Sequence, residues 1–207
     1  MKRELIVATL NQMFPDAKAE LDYTNHFELL IAVVLSAQTT DIAVNKVTPE
    51  LFLKYPTPYL LQDAKQEDVE NIIKTIGLYR TKAKNIINLS KILVEKFNGE
   101  IPSKRSKLES LPGVGRKTAN VVLSNAFNKN YIAVDTHVAR VSKRLGIAEE
   151  SDNVLQIEKK IEVYFNKDDL KKLHHQLIFF GRYHCTARSP KCDICQLKEI
   201  CTFYQKL

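Results

Sequence analysis

Residues 103–126, SKRSKLESLPGVGRKTANVVLSNA, read as two short helices joined by a tight turn. Ser103 can cap a first helix running to Leu111, Pro112-Gly113 makes the turn, and a second helix runs from about Arg116 to about Ala126. This is a helix-hairpin-helix pattern. Gly113 and Gly115, flanking Val114, leave backbone amides bare just before a helix N-terminus, where the dipole is positive. One nucleic-acid phosphate fits there, gripped without any base being read. The same glycines would also serve a plain turn between helices. Lys117 falls in the first turn of the second helix, where a cation is electrostatically disfavoured and a neutral, nucleophilic amine is favoured. The alternative for Lys117 is a second phosphate contact or a solvated side chain.

Outward from the hairpin, apolar residues recur at helical spacing almost everywhere, so the chain is expected to be all-α. Upstream, Asn25 can cap a helix through FELLIAVVLSA (27–37), with Glu28 completing a capping box, and apolar residues on all sides make it a central core helix. Thr48-Pro49 and Thr57-Pro58 each mark a helix start, and Gly77 and Gly99 mark stops. Ile86, Leu89, Ile92, Leu93 and Phe97 give one amphipathic helix between those glycines. Downstream, 131–134 is a brief extended stretch, and Asp135 caps a helix that runs to Leu145 and closes at Gly146. Helices over about 153–165 and 168–181 lead into the C-terminal segment. An aspartate at a helix start is explained by capping alone; its carboxylate could also stabilise positive charge developing on a sugar.

Composition sets the class. With 207 residues, 44% hydrophobic and 27% charged, the chain can bury its own core and needs no oligomer. The apolar run Leu29 to Leu35 is far short of the roughly 20 residues of a membrane span. MKRELIVATLNQ carries Glu4 and a short, interrupted apolar stretch, unlike a signal peptide, so a cytoplasmic protein is expected. A net charge of +7 favours a polyanionic partner, although the lysines and arginines are scattered and form no basic tail.

All four cysteines, Cys185, Cys192, Cys195 and Cys201, lie in the last 23 residues. A reducing compartment disfavours disulfides, which leaves metal. By spacing alone, zinc and a 4Fe-4S cluster both remain open.

LPGVGRKTANVV, AVDTH and the pattern Cys-x6-Cys-x2-Cys-x5-Cys stand in this order in one chain, and together they resemble the endonuclease III family over nearly the whole length. The resemblance implies a two-lobed helix-hairpin-helix glycosylase fold with a DNA cleft between the lobes. Residues 21–130 would form a six-helix barrel lobe holding the hairpin (about 103–126), and 1–20 with 131–207 an iron-sulfur lobe with its cluster loop at 185–201. It implies a base-excision repair enzyme, a monomer on double-stranded DNA carrying damaged bases or abasic sites, at the nucleoid and without membrane contact. Lys117 matches the family's catalytic lysine and Asp135 its catalytic aspartate. Gly113, Val114 and Gly115 would hold phosphate, the four cysteines a 4Fe-4S cluster, and oxidised pyrimidines such as thymine glycol would be the substrates.

A glycosylase must take its target nucleotide out of the stack and fill the gap. Gln38 resembles the family's inserted residue and Leu78 a second wedge; otherwise Gln38 is a polar helix end and Leu78 ordinary core. Arg188 and Lys191, between the first two cysteines, would touch DNA phosphate or merely aid solubility. Other readings stay open: a monofunctional adenine-type glycosylase, whose relatives carry serine at the position of Lys117, a non-catalytic DNA-binding protein, and a zinc-bound structural protein.

Overall fold

The computed structural model describes residues 1–165 and 169–207, and no strand occurs among them. In chain order the helices are α1 (Lys2–Met13), α2 (His26–Leu35), α3 (Asp41–Lys54), α4 (Pro58–Leu61), α5 (Gln66–Ile73), α6 (Tyr79–Phe97), α7 (Arg105–Glu109), α8 (Arg116–Phe127), α9 (Thr136–Arg144), α10 (Val154–Tyr164) and α11 (Leu170–Tyr183). The expected start of the last helix at 168 lies outside the described residues. Two units result, Glu20–Asn128 and the combination of Met1–Ala19 with Lys129–Leu207.

In the first unit, α2 is buried from Phe27 through Leu35, as its all-round apolar sequence requires. Helices α3, α6 and α8 pack against it. Asn25 caps α2 by accepting the Glu28 amide at 3.0 Å. The Glu28 carboxylate reaches one residue further back than a capping box would take it, accepting from the Thr24 amide at 2.6 Å and hydroxyl at 2.8 Å.

Three further local expectations fail here. Thr48-Pro49 starts nothing: Thr40 caps α3, which runs unbroken through Pro49. Thr48 is 1% exposed, and burial of Val44, Val47 and Leu51 on the same helix outweighs the amide bond that proline removes. Ser103 does not cap α7, whose N-cap is Lys104, without a side-chain bond. Gly77 does not mark the stop: α5 ends at Ile73 with Lys74 as its C-cap, and the left-handed residue in the turn is Leu78. Thr57-Pro58 does start α4, with Thr57 accepting the Leu60 amide.

In the second unit, Ile6 and Leu10 of α1, Val138 and Val141 of α9, Ile157 and Ile161 of α10, and Leu173 and Leu177 of α11 share one core. Leu197 from the cysteine segment is fully buried in the same core, with Cys185, Cys195 and Cys201 packed on its edge. The C-terminal segment is therefore anchored by an apolar side chain before any metal is considered.

Candidate functional site

The hairpin glycines differ in what the fold asks of them. Gly113 has φ +78, and a Cβ there would stand 3.1 Å from the Asn85 side chain and 3.2 Å from Val34. Backbone conformation and close approach both demand glycine. Gly115 is exposed, its φ of −90 is open to any residue, and a Cβ would meet nothing within 4 Å. No packing constraint calls for glycine at 115, yet it stands as the N-cap of α8, which no side chain caps. Bare backbone facing solvent at a helix N-terminus is what an incoming phosphate needs. Val114 between them is buried and fixes the turn from below, its amide donating to Leu111 at 3.1 Å. Lys117 is exposed on the first turn of α8 and makes no hydrogen bond or ion pair with the described residues.

On the same unit, two side chains stand in left-handed backbone without being glycine or asparagine: Gln38 at φ 54 and Leu78 at φ 58. For such residues the conformation costs roughly 1–2 kcal/mol each. Both are exposed, Leu78 at 60%, so leucine is not core at this position. The two loops adjoin, the Gln38 carbonyl lying 4.0 Å from where a Cβ would stand on Gly77. Beneath them Lys82 is only 4% exposed and donates from Nζ to Thr39 Oγ1 at 2.7 Å. Burial pushes its pKa below the ordinary lysine value.

In the other unit, Asp135 caps α9 with one oxygen, Oδ1, which accepts the amides of His137 and Val138 at 2.8 Å each. Its second oxygen has no partner among the described residues. Burial holds His137 below the usual imidazole range, with Asp135 pulling the other way. The neutral ring can then accept at Nδ1 from Arg140 Nη2, 3.2 Å away. Arg140 also donates to the carbonyls of Gly181 at 2.8 Å and Cys185 at 3.2 Å. One turn on, Arg144 donates to Cys185 Sγ at 3.3 Å, to the Thr186 carbonyl at 2.7 Å and to the Ala187 carbonyl at 3.0 Å. Helix α9 thus joins Asp135 at one end to the cysteine segment at the other.

All four cysteines line one cavity, together with the basic side chains of Arg144, Lys191 and Lys198. Burial, then the nearness of Cys185 and Cys201, raises the pKa of the Cys192 thiol; burial and the other three thiols raise that of Cys195. Thiols crowded in this way become thiolates only with a cation to hold them. On the wall of the cavity His184 Nε2 is buried without a hydrogen-bond partner, a polar atom that a bound sulfur could satisfy. An all-sulfur donor set ringed by positive charge fits an iron-sulfur cluster. Arg188 and Lys191 are exposed on the intervening loop.

The hairpin, Lys117, Gln38 and Leu78 belong to one unit; Asp135, the cysteines, Arg188 and Lys191 belong to the other. Sequence reasoning missed Lys82, Arg140 and Arg144. Arg140 and Arg144 carry a faint signal, two arginines four apart on one face of a helix. Lys82 carries none.

The chain matches the HhH-GPD superfamily of base excision DNA repair proteins over residues 31–167, and the iron-sulfur binding domain of endonuclease III over residues 185–201. It is 53% identical over 203 residues to an endonuclease III of Bacillus subtilis, covering 98% of this chain and 93% of that one. An endonuclease III of Escherichia coli is 47% identical over 206 residues, covering 100% and 97%. Among solved structures, a trapped endonuclease III–DNA covalent intermediate superposes with a TM-score of 0.91 at 53% identity, covering 99% of this chain and 97% of that one. A thermostable thymine-DNA glycosylase gives 0.90 at 24% identity, covering 100% and 98%, a likeness of fold.

Proposed function

Since the chain belongs to the endonuclease III family of the HhH-GPD superfamily, we propose that Lys117 is the attacking amine of a base-excision repair reaction and Asp135 its electrostatic partner. The protein is a DNA glycosylase and AP lyase that binds damaged duplex DNA. What supports Lys117 in particular is its freedom: an exposed amine engaged by no acceptor, two residues past a glycine whose only evident use is to leave backbone open.

In this reading Nζ, unprotonated, forms a bond to C1′ of the deoxyribose. The bond from C1′ to the base breaks, and the base leaves with that electron pair and a proton. The unpartnered oxygen of Asp135 stabilises positive charge on the sugar as the bond breaks. Ring opening gives a Schiff base; loss of a C2′ proton then expels the 3′ phosphate with the C3′–O electrons, and water releases the lysine. Gly113, Val114 and Gly115 hold one DNA phosphate through backbone amides, and Arg188 and Lys191 approach others. Gln38 and Leu78 fill the space left by the extruded nucleotide.

The protein carries a 4Fe-4S cluster. Cys185, Cys192, Cys195 and Cys201 hold it in our reading, and it supplies a rigid frame for the loop of Arg188 and Lys191. Residues 21–130 constitute the hairpin lobe, and 1–20 with 131–207 the cluster lobe. Oxidised pyrimidines are the proposed substrates. No helix among the described residues is long and apolar enough to cross a membrane. The relatives are bacterial and the substrate is DNA, which supports action in the cytoplasm at the nucleoid.

Borohydride trapping on a duplex with a single thymine glycol, comparing the wild type with Lys117→Ala, tests the reading. A covalent adduct formed only by the wild type is expected. Base release without an adduct would replace it with a monofunctional glycosylase.

A further inference from the structure

We propose that Lys82 is a positioning residue that ties the loop of Gln38 to the turn of Leu78, so that both strained residues are in place before DNA arrives. The proposal rests on the reading of Gln38 and Leu78 as the residues that enter the stack.

Four observations meet at this point. Gln38 and Leu78 are the two described residues, other than glycine and asparagine, with left-handed backbone, and both are exposed. Non-glycine residues persist in that region only when their surroundings over-determine them. Thr39 directly follows Gln38, and Lys82 stands one helical turn after Leu78, its amide donating to the Leu78 carbonyl at 3.0 Å. The single hydrogen bond of the Lys82 side chain, 2.7 Å to Thr39 Oγ1, therefore closes a short bridge between the two strained positions.

Chemistry argues that the bridge is specific. An almost fully buried lysine with no acidic partner among the described residues is a poor way to fill space. Methionine would fill the same volume without desolvating an amine. What lysine adds is a directed donor at the end of a chain long enough to cross from α6 to the loop after α2. Thr39 is itself tied down, its amide donating to the Ser36 carbonyl at 3.1 Å. Lys82 thus fastens the Gln38 loop to the first turn of α6 at a point adjacent to each wedge. A wedge held rigidly loses little freedom when it enters the duplex, so removing the tie should slow entry and leave chemistry on an already extruded nucleotide unchanged.

The experiment uses the full-length, cluster-loaded protein and a duplex with 2-aminopurine opposite a non-cleavable abasic-site analogue, whose fluorescence rises as the stack is opened. Lys82→Met and Thr39→Val should each slow the rise roughly tenfold, the scale of one directed hydrogen bond. The double variant should be no slower than either single one, because both remove the same bond. Thr39→Ser should restore the wild-type rate. Single-turnover cleavage of an abasic site in single-stranded DNA, where no stack has to be entered, should stay near wild type at saturating enzyme, which separates entry from chemistry. Thr39→Val reads the same bond from its other end should Lys82→Met fold poorly. Wild-type rates for both variants, with Gln38→Ala slow, would overturn the bridge while leaving the wedges standing. Wild-type rates for Gln38→Ala and Leu78→Ala would instead overturn the wedges, and the proposal with them.

Discussion

Arg144 donates from Nη1 to the Sγ of Cys185 at 3.3 Å, and the same guanidinium lies 4.2 Å from the centre of the Phe203 ring. Together with its bonds to the Thr186 and Ala187 carbonyls, this makes one side chain of α9 the clamp on both flanks of the cysteine cavity. Arg144→Met should lower thermal stability by roughly 2 kcal/mol and hasten bleaching of the visible absorbance of the cluster. Arg144→Lys should rescue little, since an ammonium cannot reproduce the fork. An unchanged bleaching rate would mean the thiol contact is incidental.

The hairpin glycines should respond oppositely to alanine. Gly113→Ala forces a side chain into φ +78 and against Asn85 and Val34, and should destabilise the protein by about 1–2 kcal/mol or more. Gly115→Ala should leave the melting temperature nearly unchanged, since its Cβ would meet nothing, and, in the proposed reading of the hairpin as a phosphate site, weaken binding to abasic-site duplex by about tenfold. Unaltered affinity in Gly115→Ala would count against phosphate binding at the hairpin.

Capping and chemistry can be separated at Asp135. Asparagine keeps an oxygen for the amides of His137 and Val138, so Asp135→Asn should fold almost as stably as wild type while losing roughly a hundredfold in base release. Asp135→Ala should lose that activity and about 1 kcal/mol of stability as well. Full activity in the asparagine variant would reduce Asp135 to a cap.

Lys82 gives a pH dependence of definite sign. Burial lowers its pKa in the folded protein, so the unfolded chain holds the proton more tightly. Stability contributed by this position therefore rises with pH, from the depressed value toward the ordinary lysine pKa of about 10.4. Denaturant titrations should show Lys82→Met at least as stable as wild type at neutral pH, the difference shrinking as the solution becomes alkaline. A gap that widens with pH would show that the ammonium is stabilised rather than penalised.

Much of this was legible in the residues because it is local. Helix α8, the cap at Asp135, the cap at Thr57 and the gathering of four cysteines all follow from neighbours within a turn or two. What could not be read was set by contacts that the local sequence does not show. Pro49 sits inside α3 because buried contacts on that helix outweigh a broken amide bond. Lys82 and Arg144 were invisible for the same reason: a buried lysine and a clamp on a cysteine loop are made by residues 43 and 41 positions away.

The first unit is one uninterrupted stretch, Glu20–Asn128, whereas the second is assembled from both ends of the chain. On a ribosome the contiguous unit has all its parts at hand as soon as α8 emerges. Helix α1, made first, must wait with Ile6 and Leu10 uncovered until α9, α10 and α11 have been synthesised. Because Cys201 and the buried Leu197 come later still, a cluster held there in the proposed reading can form only after α11 has been made. A nascent chain stalled before that point would carry a finished hairpin unit and a helix whose Ile6 and Leu10 are uncovered, a target for chaperones and proteases.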